Sequence, residues 1–495
     1  MFRLSYPLAS LLCTLSLAAC GGSSSATPPS PTPVTVDTSV VTPQDPGSNL
    51  PAQWQRRATF MQIFVRSYRD SNGDGIGDLQ GVTQSLDYLQ SLGVGGIWLM
   101  PIAPSEDHDH GYAVTDYRGV EAAYGSLADL DELLAQAHAR GIGVILDYVM
   151  NHSAASHPLF VNSSSSANAE YRDWYVWSPS KPGGWSIYGN DPWHQGNGGH
   201  YFAGFWSRMP DFNLRHAPVL DFHRDNLRFW LNRGVDGFRF DAVGNLIENG
   251  PSAWEVQTEN YPLMAGMAAL IGSYQHRYTV CEAPADPQGF TTACGSAFAF
   301  DVNRQIVGAA MGAPSSIRAV SDYFKTAPVG LATMLSNHDG FAGARAYDQL
   351  HGDAAGLRLA AASLLTLPGI PFIYYGEEFG MGAGRGLSGD PALRSPMSWT
   401  ADTQRAGFTS GTPYRALAAN VATHNAAAAQ ADTNSLWHTY RALIQLRRST
   451  DALAIGSYEQ ATVQGNALSF VRRSGNSRVV VVLNYGIAAA TVTVN

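Results

Sequence analysis

Four short segments of the 495-residue chain place an acid straight after a run of apolar residues: 143–152 (GVILDYVMNH), 237–243 (GFRFDAV), 278–283 (YTVCEA) and 333–339 (TMLSNHD). A charge beside apolar packing loses hydration, so such a placement is costly unless it has a role. Arg239 and Asp241 stand two apart on one strand and point to one face. The guanidinium would keep that carboxylate ionised and oriented, which suits a nucleophile. Glu282 follows Val280 and Cys281, and desolvation there would raise its pKa toward that of a general acid. Asp339 ends the run Asn337-His338-Asp339. One ionised and one protonated carboxyl, about 5–5.5 Å apart across a glycosidic bond, are what retaining hydrolysis requires. Structural ion pairs at strand ends would account for any one segment, but poorly for all four together.

Several strand ends bearing polar clusters imply strands that open on a common mouth, the layout of a barrel enzyme. From Thr59 onward, short apolar strands alternate with amphipathic helices, the pattern of βαβ units and a parallel sheet. Strand candidates fall at 60–65, 96–100, 143–148, 237–241, 278–282, 297–301, 332–336 and 371–375, the eight that a closed barrel needs. Helices are punctuated at both ends. One spans 126–140, with Ser126 and Asp129 as a capping signal and Gly141 as its stop; others span 218–233 and 435–448. The expected fold is α/β, a (β/α)8 TIM barrel over 54–152 and 209–450. An excursion domain, 153–208, follows the third strand and is rich in Trp, Tyr, Gly and Asn. From 451 to 495 the alternation becomes that of a small antiparallel β domain.

Hydrophobic residues make up 45% of the chain and charged residues 14%, enough apolar material for a large core. The net charge of −9, with no basic stripe, argues against nucleic acid as a partner. Residues 1–20 read as an export signal: Arg3, an apolar stretch over 8–17, then Leu17-Ala18-Ala19-Cys20. Small residues before a Cys resemble a bacterial lipobox, in which Cys20 would carry lipid; an ordinary secretory signal is the alternative. Residues 21–53, rich in Gly, Ser, Thr and Pro, read as a disordered tether. The chain is thus expected to be exported, either lipid-anchored at the periplasmic or cell surface or secreted, touching a membrane only through that anchor, and monomeric. In the body Cys281 and Cys294 could pair, as export permits, or Cys281 could be a small buried hydrophobe.

The order Asp147-Tyr148-Val149-Met150-Asn151-His152, then Gly237-Phe238-Arg239-Phe240-Asp241, then Glu282, then Asn337-His338-Asp339 resembles the four signature regions of the α-amylase family (glycoside hydrolase family thirteen). Met209-Pro210-Asp211-Phe212-Asn213 resembles its fifth region, and the likeness covers the body from about Thr59 onward. The resemblance implies Asp241 as nucleophile, Glu282 as acid/base and Asp339 as the carboxylate that grips sugar hydroxyls. It implies that Asp147, His152, Arg239 and His338 line the same subsite, with Tyr112 stacking under the ring. In the loop 70–78, oxygen-bearing side chains alternate around glycines, as hard cations prefer, although Gly81 stands where an EF-hand needs Glu. By resemblance, Asp70, Asn72, Asp74 and Asp78 and the Ile76 carbonyl would bind calcium.

The implied activity is retaining cleavage of α-1,4-glucosidic bonds in starch or maltodextrins. An α-glucosidase or glucosyl-transferring enzyme on oligosaccharides is the alternative, and a non-catalytic starch-binding protein the second. Gly244 and Asn245 replace the Lys-His pair that helps many α-amylases form a second calcium site. Ala113 replaces the Asp by which exo-acting relatives hold the non-reducing end, yet the stretch from Arg394 through Trp399 resembles the oligosaccharide-acting branch.

Overall fold

The computed structural model describes residues 36–493. The expected signal, Cys20 and the first part of the tether lie outside the described residues. Among those described, no helix is long and apolar enough to cross a membrane.

Parallel strands β1 (Phe60–Ile63), β2 (Gly96–Leu99) and β3 (Gly143–Tyr148) are buried along their whole length, on both faces of the sheet. The excursion that follows holds β4 (Trp177–Ser178), β5 (Trp193–Gly196) and β6 (Gly199–Phe202), an antiparallel sheet ordered β4-β6-β5. The barrel resumes with β7 (Gly237–Phe240), β8 (Tyr278–Cys281), β9 (Ala332–Thr333) and β10 (Ile370–Tyr374), and its order is β8-β7-β3-β2-β1-β10-β9. Between β8 and β9 the gap is bridged by Ala297 on Cys281 and Phe298 on Ala332, both parallel. The strand expected at 297–301 is therefore two residues long, because the helix Phe300–Ala310 begins at once. The strand expected at 332–336 likewise leaves the ladder after Thr333.

One end of the barrel is plugged by rings. Phe60 stacks on Phe372 at 4.5 Å and Trp98 on Phe298 at 5.2 Å. A Cβ on Gly96 would meet the Phe60 ring at 2.4 Å, so glycine is required where that ring crosses β2. The helix Leu127–Ala139 carries the expected capping box between Ser126 and Asp129. Helices Ala217–Asn232 and Leu436–Ser449 also lie within a residue of their expected bounds. The C-terminal sheet is β11 (Ser457–Gln464), β12 (Ala467–Ser474) and β13 (Ser477–Asn484), antiparallel in that order. It is tied to the barrel by buried Arg472, which donates to the carbonyls of Thr366 at 2.7 Å and Gly456 at 2.9 Å.

Residues 36–53, expected to belong to the tether, are bonded to the body. Val41 N–H donates to Asp225, Gln44 N–H to Asn232, and Asp45 accepts from the Gln275 N–H, while Leu50 and Trp54 are buried. A Pro- and Ser-rich stretch without periodicity can still order when the body offers acceptors for its N–H groups and a cleft for its few apolar side chains. Cys281 and Cys294 form a disulfide with 6.2 Å between Cα atoms, pinning the end of β8 to the helix Pro287–Cys294. Breaking it by Cys294→Ser is expected to cost about 3 kcal/mol through the freed loop, measured as a lower Tm that reductant no longer shifts.

Candidate active site

Backbone pairing sets the cluster. Asp147 on β3 lies in register with Arg239 on β7, and Arg239 with Val280 on β8. Asp241 and Glu282 each come one residue after their strands, with N–H groups still bonded to the Tyr148 and Phe240 carbonyls. Ala242 then turns with φ +47, a left-handed conformation that a non-glycine residue rarely adopts. That turn aims its N–H at Glu282 Oε2, 3.0 Å away.

Arg239 is the hub and is 1% exposed. Its Nη1 reaches Asp147 at 2.6 Å and Asp241 at 2.8 Å, and its Nη2 reaches Glu282 at 2.6 Å. The guanidinium thus serves Glu282, expected to stand in apolar surroundings, as well as Asp241 two residues further along. Burial is the largest influence on each acid and pushes Asp241 up to about 6 and Glu282 up to about 7, against the pull of Arg239. The charge of Asp241 beside it raises Glu282 further. Asp147, pushed up to about 6 by burial, accepts from Tyr112 Oη at 2.9 Å and Trp98 Nε1 at 3.2 Å.

His338 is wholly buried and held neutral by desolvation, with Arg394 and Arg239 adding to the effect. Its Nδ1 accepts from Gln62 Nε2 at 2.6 Å, leaving Nε2–H for Tyr112 Oη at 2.7 Å and Asp339 at 3.0 Å. The Tyr112 ring stacks on that of His338, 14° from parallel. Asp339, raised to about 7 by burial, is gripped by Arg394 at 2.8 Å. His152 is buried and neutral, its Nε2 without a protein partner. Asp241, Glu282, Asp339, Tyr112, Asp147, Arg239 and His338 thus form one network, with His152 at its edge.

Two members were not singled out from sequence. Gln62 is a polar residue inside an apolar strand, a signal that was present in the chain. Arg394 also donates to the His338 carbonyl at 3.0 Å and pairs with Asp390 at 3.1 Å; nothing local in the sequence marks this.

The loop 70–78 lies apart from the network. Asp70 accepts from the N–H groups of Asn72, Gly73 and Gly75, Asn72 from that of Asp74, Asp74 from that of Ile76, and Asp78 from those of Ser71 and Gly81. Among the described residues, no three His, Cys, Asp or Glu side chains converge as a metal cage.

Carboxylates at the C-terminal ends of β3, β7 and β8 on one buried arginine, with a fourth just beyond β9 held by a second, define a barrel enzyme acting at glycosidic bonds. Residues 62–456 match the family model for the α-amylase catalytic domain. The chain is 33% identical over 456 residues to alpha-amylase 3 of Dictyoglomus thermophilum, covering 88% of this chain and 86% of that protein. It is 30% identical to an oligo-1,6-glucosidase of Parageobacillus thermoglucosidasius, covering 87% and 90%, and 30% identical to a trehalose synthase of a Pimelobacter species, covering 87% of each. Among solved structures, an alpha-glucosyl transfer enzyme superposes with TM-score 0.78 at 30% identity over 87% of this chain and 91% of that one. An isomaltulose synthase of a Klebsiella species gives TM-score 0.79 at 28% identity over 88% and 91%. The chain belongs to the α-amylase family, glycoside hydrolase family thirteen, and is a retaining glycoside hydrolase or glucosyl-transferring enzyme of it.

Proposed function

We propose that this enzyme cleaves internal α-1,4-glucosidic bonds of starch and maltodextrins through a glucosyl-Asp241 intermediate. Glu282 gives its proton to the leaving oxygen as Asp241 attacks the anomeric carbon and the glycosidic C–O bond breaks. Glu282, now ionised, takes a proton from water, whose oxygen attacks the same carbon and frees Asp241, so the configuration is retained. Asp339, His338, Tyr112 and the open Nε2 of His152 would hold the sugar hydroxyls, while Asp147 and Arg239 fix the frame.

The observation that carries the endo reading is Ala113, which is buried beside Tyr112 and offers no carboxylate to a chain end, while the neighbouring Asp107 is taken up by the Ala113 N–H at 3.1 Å and by Ser105. Arg394 meanwhile is occupied by Asp339 and Asp390. The names of the relatives favour a second reading as an α-glucosidase or transferase. A time course on amylose, maltotriose and sucrose separates them. Mixed oligosaccharides at early times support endo cleavage; glucose alone, or new glucosyl adducts, overturn it.

The reading extends to calcium. The donors of the loop 70–78 are all oxygens, and a carboxylate oxygen that accepts one N–H retains a second lone pair. Asp70, Asn72, Asp74, Asp78 and the Ile76 carbonyl would hold the ion as a structural clamp. Chelation is expected to lower Tm, calcium to restore it, and Asp74→Ala to abolish the response; an unchanged Tm removes calcium from the account. An anchor at Cys20 belongs to the same reading, and Cys20→Ser should move the enzyme from the membrane to the soluble fraction.

A further inference from the structure

Three aromatic side chains that take no part in the steps above lie against Asn245 and Glu248, on the segment that follows the nucleophile. Tyr188 is 67% exposed and Phe205 39% exposed, and both line one cavity with Trp254, Asn245 and Glu248. Tyr188 and Phe205 belong to the excursion domain, Trp254 to the segment between β7 and β8. The Tyr188 ring meets Trp254 edge-on at 5.6 Å and lies tilted against Phe205 at 6.3 Å. Phe205 lies 5.5 Å from the His152 ring, so the cluster is continuous with the catalytic mouth. The same cavity reaches Asn245, whose N–H donates to the Ala242 carbonyl, and the Ala242 N–H in turn donates to Glu282 Oε2, so the cluster adjoins the turn that holds the acid.

The backbone at Tyr188 adds an independent observation. It has φ +50 and is followed by Gly189 at +84, at the tip of a turn closed by reciprocal N–H to C=O bonds of 2.8 Å between Ile187 and Asn190. Two-residue turns of this kind favour Asn-Gly, because L side chains resist left-handed φ. A tyrosine is held there against local preference, and such strain gathers where a ligand is met. Core packing does not explain the ring, since most of it is open.

The direction follows from the chemistry. A leaving group departs past the acid that protonates it, and the aromatic cluster adjoins the turn that holds Glu282, while Arg394 and Asp390 gather at Asp339. We propose that Tyr188, backed by Trp254 and Phe205, is a stacking platform for the sugar ring on the leaving side of the scissile bond and for an acceptor sugar that takes its place. The inference rests on the glucosyl-enzyme reading above. A ring face against the C–H face of a pyranose needs no directional partner, so the same surface can receive a departing ring or an entering one.

Maltotriose carries a leaving-side sugar and α-glucosyl fluoride does not. Tyr188→Asn removes the ring and keeps a residue that tolerates the turn. The ratio of kcat/KM on maltotriose to kcat/KM on α-glucosyl fluoride is expected to fall about tenfold in Tyr188→Asn, with Tm equal or higher. The KM for maltose as acceptor should rise, and Trp254→Ala should move the ratio in the same direction. An unchanged ratio in Tyr188→Asn overturns the platform. A parent enzyme that turns over neither donor overturns the glucosyl-enzyme reading and the platform with it.

Discussion

Asp241→Asn should remove at least about four orders of magnitude from kcat on maltooligosaccharides, the scale on which an enzyme fails without its nucleophile. The substitution is isosteric, and its amide oxygen can still accept from Arg239 Nη1, now 2.8 Å from Asp241, so the fold should survive with little change in Tm. A second effect falls on Glu282. The charge of Asp241 is one of the influences that raise Glu282, so its removal should lower the pKa of the acid. Cutting Asp241 back to Gly opens space for a small anion, and added azide should then restore turnover and yield the β-glucosyl azide. Full activity in Asp241→Asn would remove the residue from the mechanism.

Glu282→Gln should divide substrates by leaving group. A sugar alkoxide must be protonated as it departs, and loss of a positioned acid costs on the order of 10²–10⁴ in rate; fluoride leaves with little help. Turnover of maltotriose should therefore collapse while glucosylation by α-glucosyl fluoride persists. The pH profile carries the same assignment. Asp241 must be ionised, so kcat/KM should fall as pH drops through about 6. Glu282 must be protonated, so kcat/KM should fall as pH rises through about 7. The optimum lies between, and Glu282→Gln should abolish the alkaline limb alone. An alkaline limb that persists in Glu282→Gln assigns it to another group, of which Asp339 is the nearest candidate.

The acids at the ends of β3, β7 and β8 and beyond β9 were legible in sequence because an acid after an apolar run breaks a strong local rule. Helix caps such as Ser126 with Asp129 were legible because their signals are short-range. The same rule, applied to Glu377 and Glu378 after β10, would have suggested a fifth catalytic segment. In the structure they are buried apart from the network, bonded to Tyr440, Ser336 and Tyr88, with burial pushing Glu377 up to about 8. Hydroxyls from distant parts of the chain make those acids structural, and no local window shows that. Arg394 was missed for the same reason, since its partner Asp339 is 55 residues away. The strand at 297–301 was overestimated because two bridged residues suffice to close the barrel. The ordered segment from Val36 to Gln53 escaped notice because the acceptors that fix it, such as Asp225 and Asn232, sit on a helix far along the chain.

A covalent glucosyl-Asp241 intermediate can be trapped directly. Glu282→Gln retains the nucleophile but lacks the base that activates water, so with α-glucosyl fluoride the intermediate should accumulate. Acid quenching followed by intact-protein and peptide mass spectrometry should find one added glucosyl residue, on the peptide containing Asp241. An adduct on any other peptide, or steady release of glucose with no adduct at all, would contradict the account.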